Sequence, residues 1–210
     1  SGGTVAMTFT VSQVTPLFSW SNVSATYGDA NRSITAPTVT NSIAGSWSYV
    51  SATTSVAAVS GSEFDFGNAG TSTVTATFTP TDTTNYVSGG TVTMTATVGL
   101  SNQSALTVTS TTGVYGASIT LATSGGTVAG TPSYVVTGTD CSEVGGVLSK
   151  STAGDCFVTA TLAGNSNYNS VSSQATTVTF AKASQASLTL TSTTGTYGAT
   201  ITLSFSGGTG

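Results

Sequence analysis

Residues 103–127 read QSALTVTSTTGVYGASITLATSGGT, and residues 185–209 read QASLTLTSTTGTYGATITLSFSGGT. The offset is 82, and 18 of the 25 positions are identical. Residues 1–11 match 88–98 at 9 of 11 positions, with an offset of 87. Weaker echoes link Val74-Thr75-Ala76-Thr77 to Val158-Thr159-Ala160-Thr161, Asn85-Tyr86 to Asn167-Tyr168, and Tyr27-Gly28 to Tyr115-Gly116. A period of 82 to 88 exceeds the ~20–50 residues of helical solenoid repeats. It suits a small β-sandwich of about seven strands. The phase of the repeats divides the chain into 1–11, the terminal strand of a preceding repeat; 12–99, a first complete repeat; 100–182, a second; and 183–210, the opening strands of a third. The chain is then expected to be a window on a longer array.

The local patterns agree with strands. Thr91 to Val98 alternates Thr with apolar residues, the period-2 signature of a half-buried strand. Thr71 to Phe78 repeats it, with Val74, Ala76 and Phe78 on one face. Turn signals such as Gly28-Asp29, Pro80-Thr81-Asp82, Gly89-Gly90 and Gly145-Gly146 fall at short spacing. Thr (46 residues) and Val favour strands because branched side chains suit a pleated surface. The expected fold is all-β: tandem antiparallel β-sandwiches of about seven strands each, end to end. The joins Val98-Gly99-Leu100-Ser101 and Phe180-Ala181-Lys182-Ala183 are too short for a flexible linker.

Charge removes whole classes of function. The chain has 3 Lys+Arg, 7 Asp+Glu and no His, with a net charge of −4. Without His there is no Ser-His-Asp triad and no imidazole metal site. Three cations cannot neutralise a phosphate backbone or hold an anionic membrane surface. No catalytic residue, cofactor or metal is expected, and neither nucleic acid nor direct membrane contact. The chain is read as a non-enzyme.

Cys141 and Cys156 are the only cysteines, and they bracket a hairpin with Gly145-Gly146 at its turn. With no His to complete a zinc site, a disulfide is the better reading and free thiols the alternative. A disulfide implies an oxidising, extracellular setting.

Together these residues resemble the tandem bacterial Ig-like repeats of the MBG type, found in large surface proteins and adhesins. The resemblance rests on Tyr27-Gly28 near the start of the first repeat, then Phe78-Thr79-Pro80-Thr81-Asp82 and Asn85-Tyr86 near its end. The second repeat is similar to a sister subtype with paired cysteines, but has Ala163-Gly164-Asn165 where the first has Pro-x-Asp. The turn before the last strand is therefore expected to differ between repeats. The resemblance covers essentially the whole chain and implies a cell-surface, extracellular sandwich that spaces, projects or adheres.

Several residues have a functional and a structural reading. Glu63 and Asp65 share a strand face, but Ca²⁺ wants 6–8 oxygen ligands and no Asp-rich loop accompanies them, so a solvated face is expected. Trp20 and Trp47 offer a sugar-stacking platform or, as the favoured reading, core packing. Tyr27, Tyr115 and Tyr197 recur before Gly, which argues for a shared structural role. Tyr86 and Tyr168 recur too, and are expected to pin the turn before the last strand. The Thr ladders lack the strict short period of an ice-binding array. Asn22, Asn31 and Asn102 fit the N-x-Ser acceptor pattern. The expected function is a structural segment of a long extracellular stalk, filament or adhesin, its partners being neighbouring repeats of the same chain or polymer. The alternative is an Ig-like adhesion module that binds a surface glycan or protein.

Overall fold

The computed structural model describes residues 2–209. The chain forms two compact units: one is the chain through Gln103 together with Ala163–Ser170, the other is Ser104–Leu162 with the chain from Val171 onward. No α-helix occurs among the described residues; the one helical turn is a short 3₁₀ segment, Thr40–Ser42.

In the first unit one sheet has the order Val23–Thr26, Gly90–Gly99, Gly70–Pro80, Gly45–Ser51. The facing strands are Arg32–Ser33, Glu63–Phe66 and Ala57–Ser60, with Phe18–Ser19 paired to Thr38–Val39. With Phe18–Ser19 and Val23–Thr26 counted as one strand, and Arg32–Ser33 and Thr38–Val39 as the next, chain order places the seventh strand beside the sixth and then the third, with the second, fifth and fourth opposite. That is the strand order of an immunoglobulin-like sandwich. Alternation decides the core: Val74, Ala76 and Phe78 are buried on one strand and Met94, Ala96 and Val98 on its neighbour, while the Thr residues between them face outward. Ile34, Val56, Ala57, Phe64 and Phe66 close the core from the other sheet. The buried hydroxyl of Ser72 meets the Ser51 hydroxyl at 2.7 Å and accepts the Thr53 N–H at 2.9 Å.

The second unit repeats the design. Thr112–Val114, Thr176–Ala181, Gly154–Leu162 and Ser133–Thr137 form one sheet, with Val171–Ser172 also on Gly154–Leu162. Ser118–Thr120, Val147–Lys150 and Cys141–Val144 form the other. Gly145 and Gly146 both take positive φ (60° and 84°), as a tight two-residue hairpin turn requires. Cys141 and Cys156 form a disulfide with Cα atoms 5.9 Å apart. Because Cys156 lies on Gly154–Leu162, the bridge ties the two sheets together. Cys156 is itself wholly buried beside Val158, Val178 and Phe180.

In each unit one pairing between the described strands is parallel, apart from the isolated parallel bridges Val14↔Tyr86 and Ser101↔Tyr168 of the first unit. Val23–Thr26 runs alongside Gly90–Gly99, and Thr112–Val114 alongside Thr176–Ala181. Each unit's early strand thus lies directly on its last.

The ends of the chain behave differently. Residues 2–11 form no strand, and Val5, Met7, Phe9 and Val11 are exposed. Near the other end Thr189–Leu190 pairs with Phe205–Ser206. Its Thr189↔Ser206 register repeats Thr107↔Ser124, 82 residues earlier. The Ser192 hydroxyl bonds Thr202 O and Ser204 N as Ser110 bonds Thr120 O and Ala122 N.

Candidate functional site

The recurring tyrosines hold backbone. Tyr27 N–H donates to Gly99 O at 2.9 Å and Tyr115 N–H to Ala181 O at 3.1 Å, so each extends the parallel ladder by one bond. The following Gly28, Gly116 and Gly198 all have positive φ, which explains the recurrent Tyr-Gly pair. The Tyr197 side chain is fully exposed. Tyr86 bridges Val14 and Tyr168 bridges Ser101, each bond pair pinning a turn to the segment that enters the repeat. Within the first unit the Tyr168 ring also meets Tyr27 edge-on, with centroids 5.3 Å apart.

The turns carried by Asp82 and Asn165 use the same device despite their different sequences. Asp82 Oδ1 accepts the N–H groups of Thr84 and Asn85, and Asn165 Oδ1 accepts those of Asn167 and Tyr168. The expected difference between them therefore reduces to charge, because either oxygen satisfies the same two donors. The Asn85 side-chain amide, then the backbone N–H groups, hold the Asp82 carboxyl below its ordinary range. A lowered folded-state pKa supports the turn above the unfolded value of ~3.9, and that support is lost as pH falls through the lowered value. An NMR titration should place the Asp82 midpoint below ~3.9. Asp82→Asn should keep the turn, as Asn165 does, and remove its acid sensitivity.

Trp47 packs with Phe18 and Phe78 at centroid distances of 5.1 and 4.9 Å, a core role. Trp20 packs on the core of the first unit, as expected, and has a second setting as well. It lines a cavity of about 320 Å³ in the first unit, together with Asn22, Arg32, Ser33, Phe64 and Met94. Its indole N–H donates to Thr35 O at 2.7 Å, and its ring lies 5.6 Å from that of Tyr49. Burial raises the pKa of the Tyr49 phenol. Phe64 and Met94, both buried, make the apolar floor. Asn22 Oδ1 is fixed by the Thr95 N–H at 2.8 Å. Arg32 pairs with Phe64 across the strands, stands 5.5 Å over the Phe66 ring and donates from Nη1 to Ser24 O at 3.1 Å. It is the only Arg or Lys before Lys150. Sequence reading singled out Trp20 but not Arg32; its signal was a lone cation in a stretch otherwise without one.

Glu63 and Asp65 are exposed and alternate with buried Phe64 and Phe66. Among the described residues no group of three or more His, Cys, Asp or Glu is placed to hold a metal.

No family model matches the chain, and no curated protein matches it. Among solved structures it is similar to a mouse cadherin-23 fragment, EC22–24, at 15% identity and a TM-score of 0.35, over 80% of this chain and 65% of that one. The chain therefore spans less than two thirds of that structure. It is also similar to murine CEACAM1b at 13% identity and a TM-score of 0.28, over 80% of this chain and 100% of that one.

Proposed function

We propose that the chain is a non-catalytic structural segment of a long extracellular stalk, filament or adhesin, built of bacterial Ig-like repeats of the MBG type and spacing a distal element from a cell surface. The observation that carries this reading is the parallel pairing of early and last strands in each unit. Parallel neighbours carry the incoming and outgoing chain toward opposite ends of the sandwich. Tension on the chain then loads their hydrogen bonds in shear, all together rather than one at a time. The disulfide supports an oxidising compartment. The expected partners are neighbouring repeats. Single-molecule stretching tests the reading: each unit should give a discrete unfolding event, and featureless extension would overturn it.

The cavity beside Trp20 favours a second reading, in which the first unit also binds a surface glycan. Its volume lies at the small end of the ~300–1,000 Å³ typical of ligand pockets, room for one sugar ring.

A further inference from the structure

We propose that the cavity between Trp20 and Arg32 binds the carboxylate-bearing sugar of an acidic glycan. The proposal rests on the second reading above, that this unit binds a glycan, and names the class of sugar.

The chain contains its own control. Phe18↔Val39 and Leu106↔Gly125 are corresponding register pairs, which sets Trp20 against Val108 of the second unit. Likewise Arg32↔Phe64 corresponds to Ile119↔Leu148, since Ile34 N–H→Ser62 O and Leu121 N–H→Gly146 O recur two residues later. In the second unit Val108 is buried and Ile119 packs on the core. At these two positions the sandwich needs no more than an apolar filler. The first unit instead has an indole, which also packs on the core, and a guanidinium, and both line a cavity.

The lining has three kinds of chemistry. The floor of Phe64 and Met94 matches the C–H face of a pyranose. Asn22 and Ser33 at the wall match its hydroxyls. Arg32 supplies the charge. Its stacking on Phe66 and its bond to Ser24 O restrain the guanidinium, while its other N–H groups remain available for a carboxylate. The carboxylates beside its register partner, Glu63 and Asp65, lie on the opposite strand face from Phe64. In a chain of net charge −4, a lone restrained cation at a hydroxyl-lined cavity selects an anionic sugar over a neutral one.

The test is NMR titration of the full chain with glucuronate and, separately, with glucose. Glucuronate should give saturable millimolar shifts at the Trp20 indole N–H, Asn22 and Ser33. Arg32→Gln, at an exposed position, should weaken it about tenfold. Trp20→Val, the second unit's residue type, should weaken both sugars, with circular dichroism confirming the fold. Glucose binding as tightly as glucuronate, insensitive to Arg32→Gln, would overturn the acidic-sugar assignment and leave the glycan reading standing. Shifts from neither sugar would overturn both, and shifts confined to other surfaces would overturn the proposed site.

Discussion

Phe78→Ala should cost the first unit about 3–5 kcal/mol, the range for truncating a buried Phe. Phe78 is 1% exposed, and its ring sits 5.5 Å from Phe18 and 4.9 Å from Trp47. The backbone around it is already trimmed to make room. A Cβ on Gly45 would meet the Phe78 ring, and one on Gly90 would lie 2.8 Å from Phe18 Cε2. Two glycines therefore face the aromatic cluster, and neither has a side chain that can move into the space Phe78 would leave. The cost should sit at the upper part of the range, where collapse is restricted. Both tryptophans, Trp20 and Trp47, lie in the first unit, so tryptophan fluorescence during urea unfolding reports on that unit selectively. A shift in midpoint worth less than about 1 kcal/mol would mean that the cluster relaxes around the hole.

Alternation and repetition made most of the strands readable. The Thr-x-Thr runs at 71–78 and 91–98 are long strands because one face is apolar and the other needs only a hydroxyl and a branched Cβ. Three features were not readable, each for a physical reason. The parallel pair was hidden because Val23–Thr26 and Thr112–Val114 are too short to show whether they run with or against the last strand. The shared turn of Asp82 and Asn165 was hidden because motif matching weighs charge, whereas the turn uses one side-chain oxygen. The cavity was hidden because it is a missing volume. Trp20 reads as a core residue and does pack on the core; only its register with Val108 shows that the repeat does not need an indole there. Arg32 sits on a two-residue strand, where no periodicity can assign a face.

Ala25→Pro should lower the force at which the first unit yields, and Ser24→Pro should leave it nearly unchanged. The difference follows from which N–H groups face the last strand. Tyr27 N–H points to Gly99 O, and with a strand period of 2 Ala25 N–H points the same way. Thr26 N–H instead donates to Asp29 Oδ2, so Ser24 N–H also faces away from the ladder. Proline lacks the N–H, so only at position 25 does it remove a bond of the shear-loaded pair, at a resting cost of about 1 kcal/mol for that bond. Because only four residue pairs, Val23 to Thr26, share the load there, losing one bond weakens the clamp more than the resting stability. The same pulling experiment reads the disulfide of the second unit. Cys141 and Cys156 are 15 residues apart in sequence and 5.9 Å apart in space. Once that unit has opened, the bridge withholds about 45 Å of extended chain, at ~3.3–3.6 Å per residue. Reductant should release that length and lower the unit's stability by about 3 kcal/mol. A contour length indifferent to reductant would show that these cysteines carry no crosslink. A yield force equal for the two proline variants would show that the load passes through some other pair of strands, and the mechanical reading of the parallel ladder would then fail.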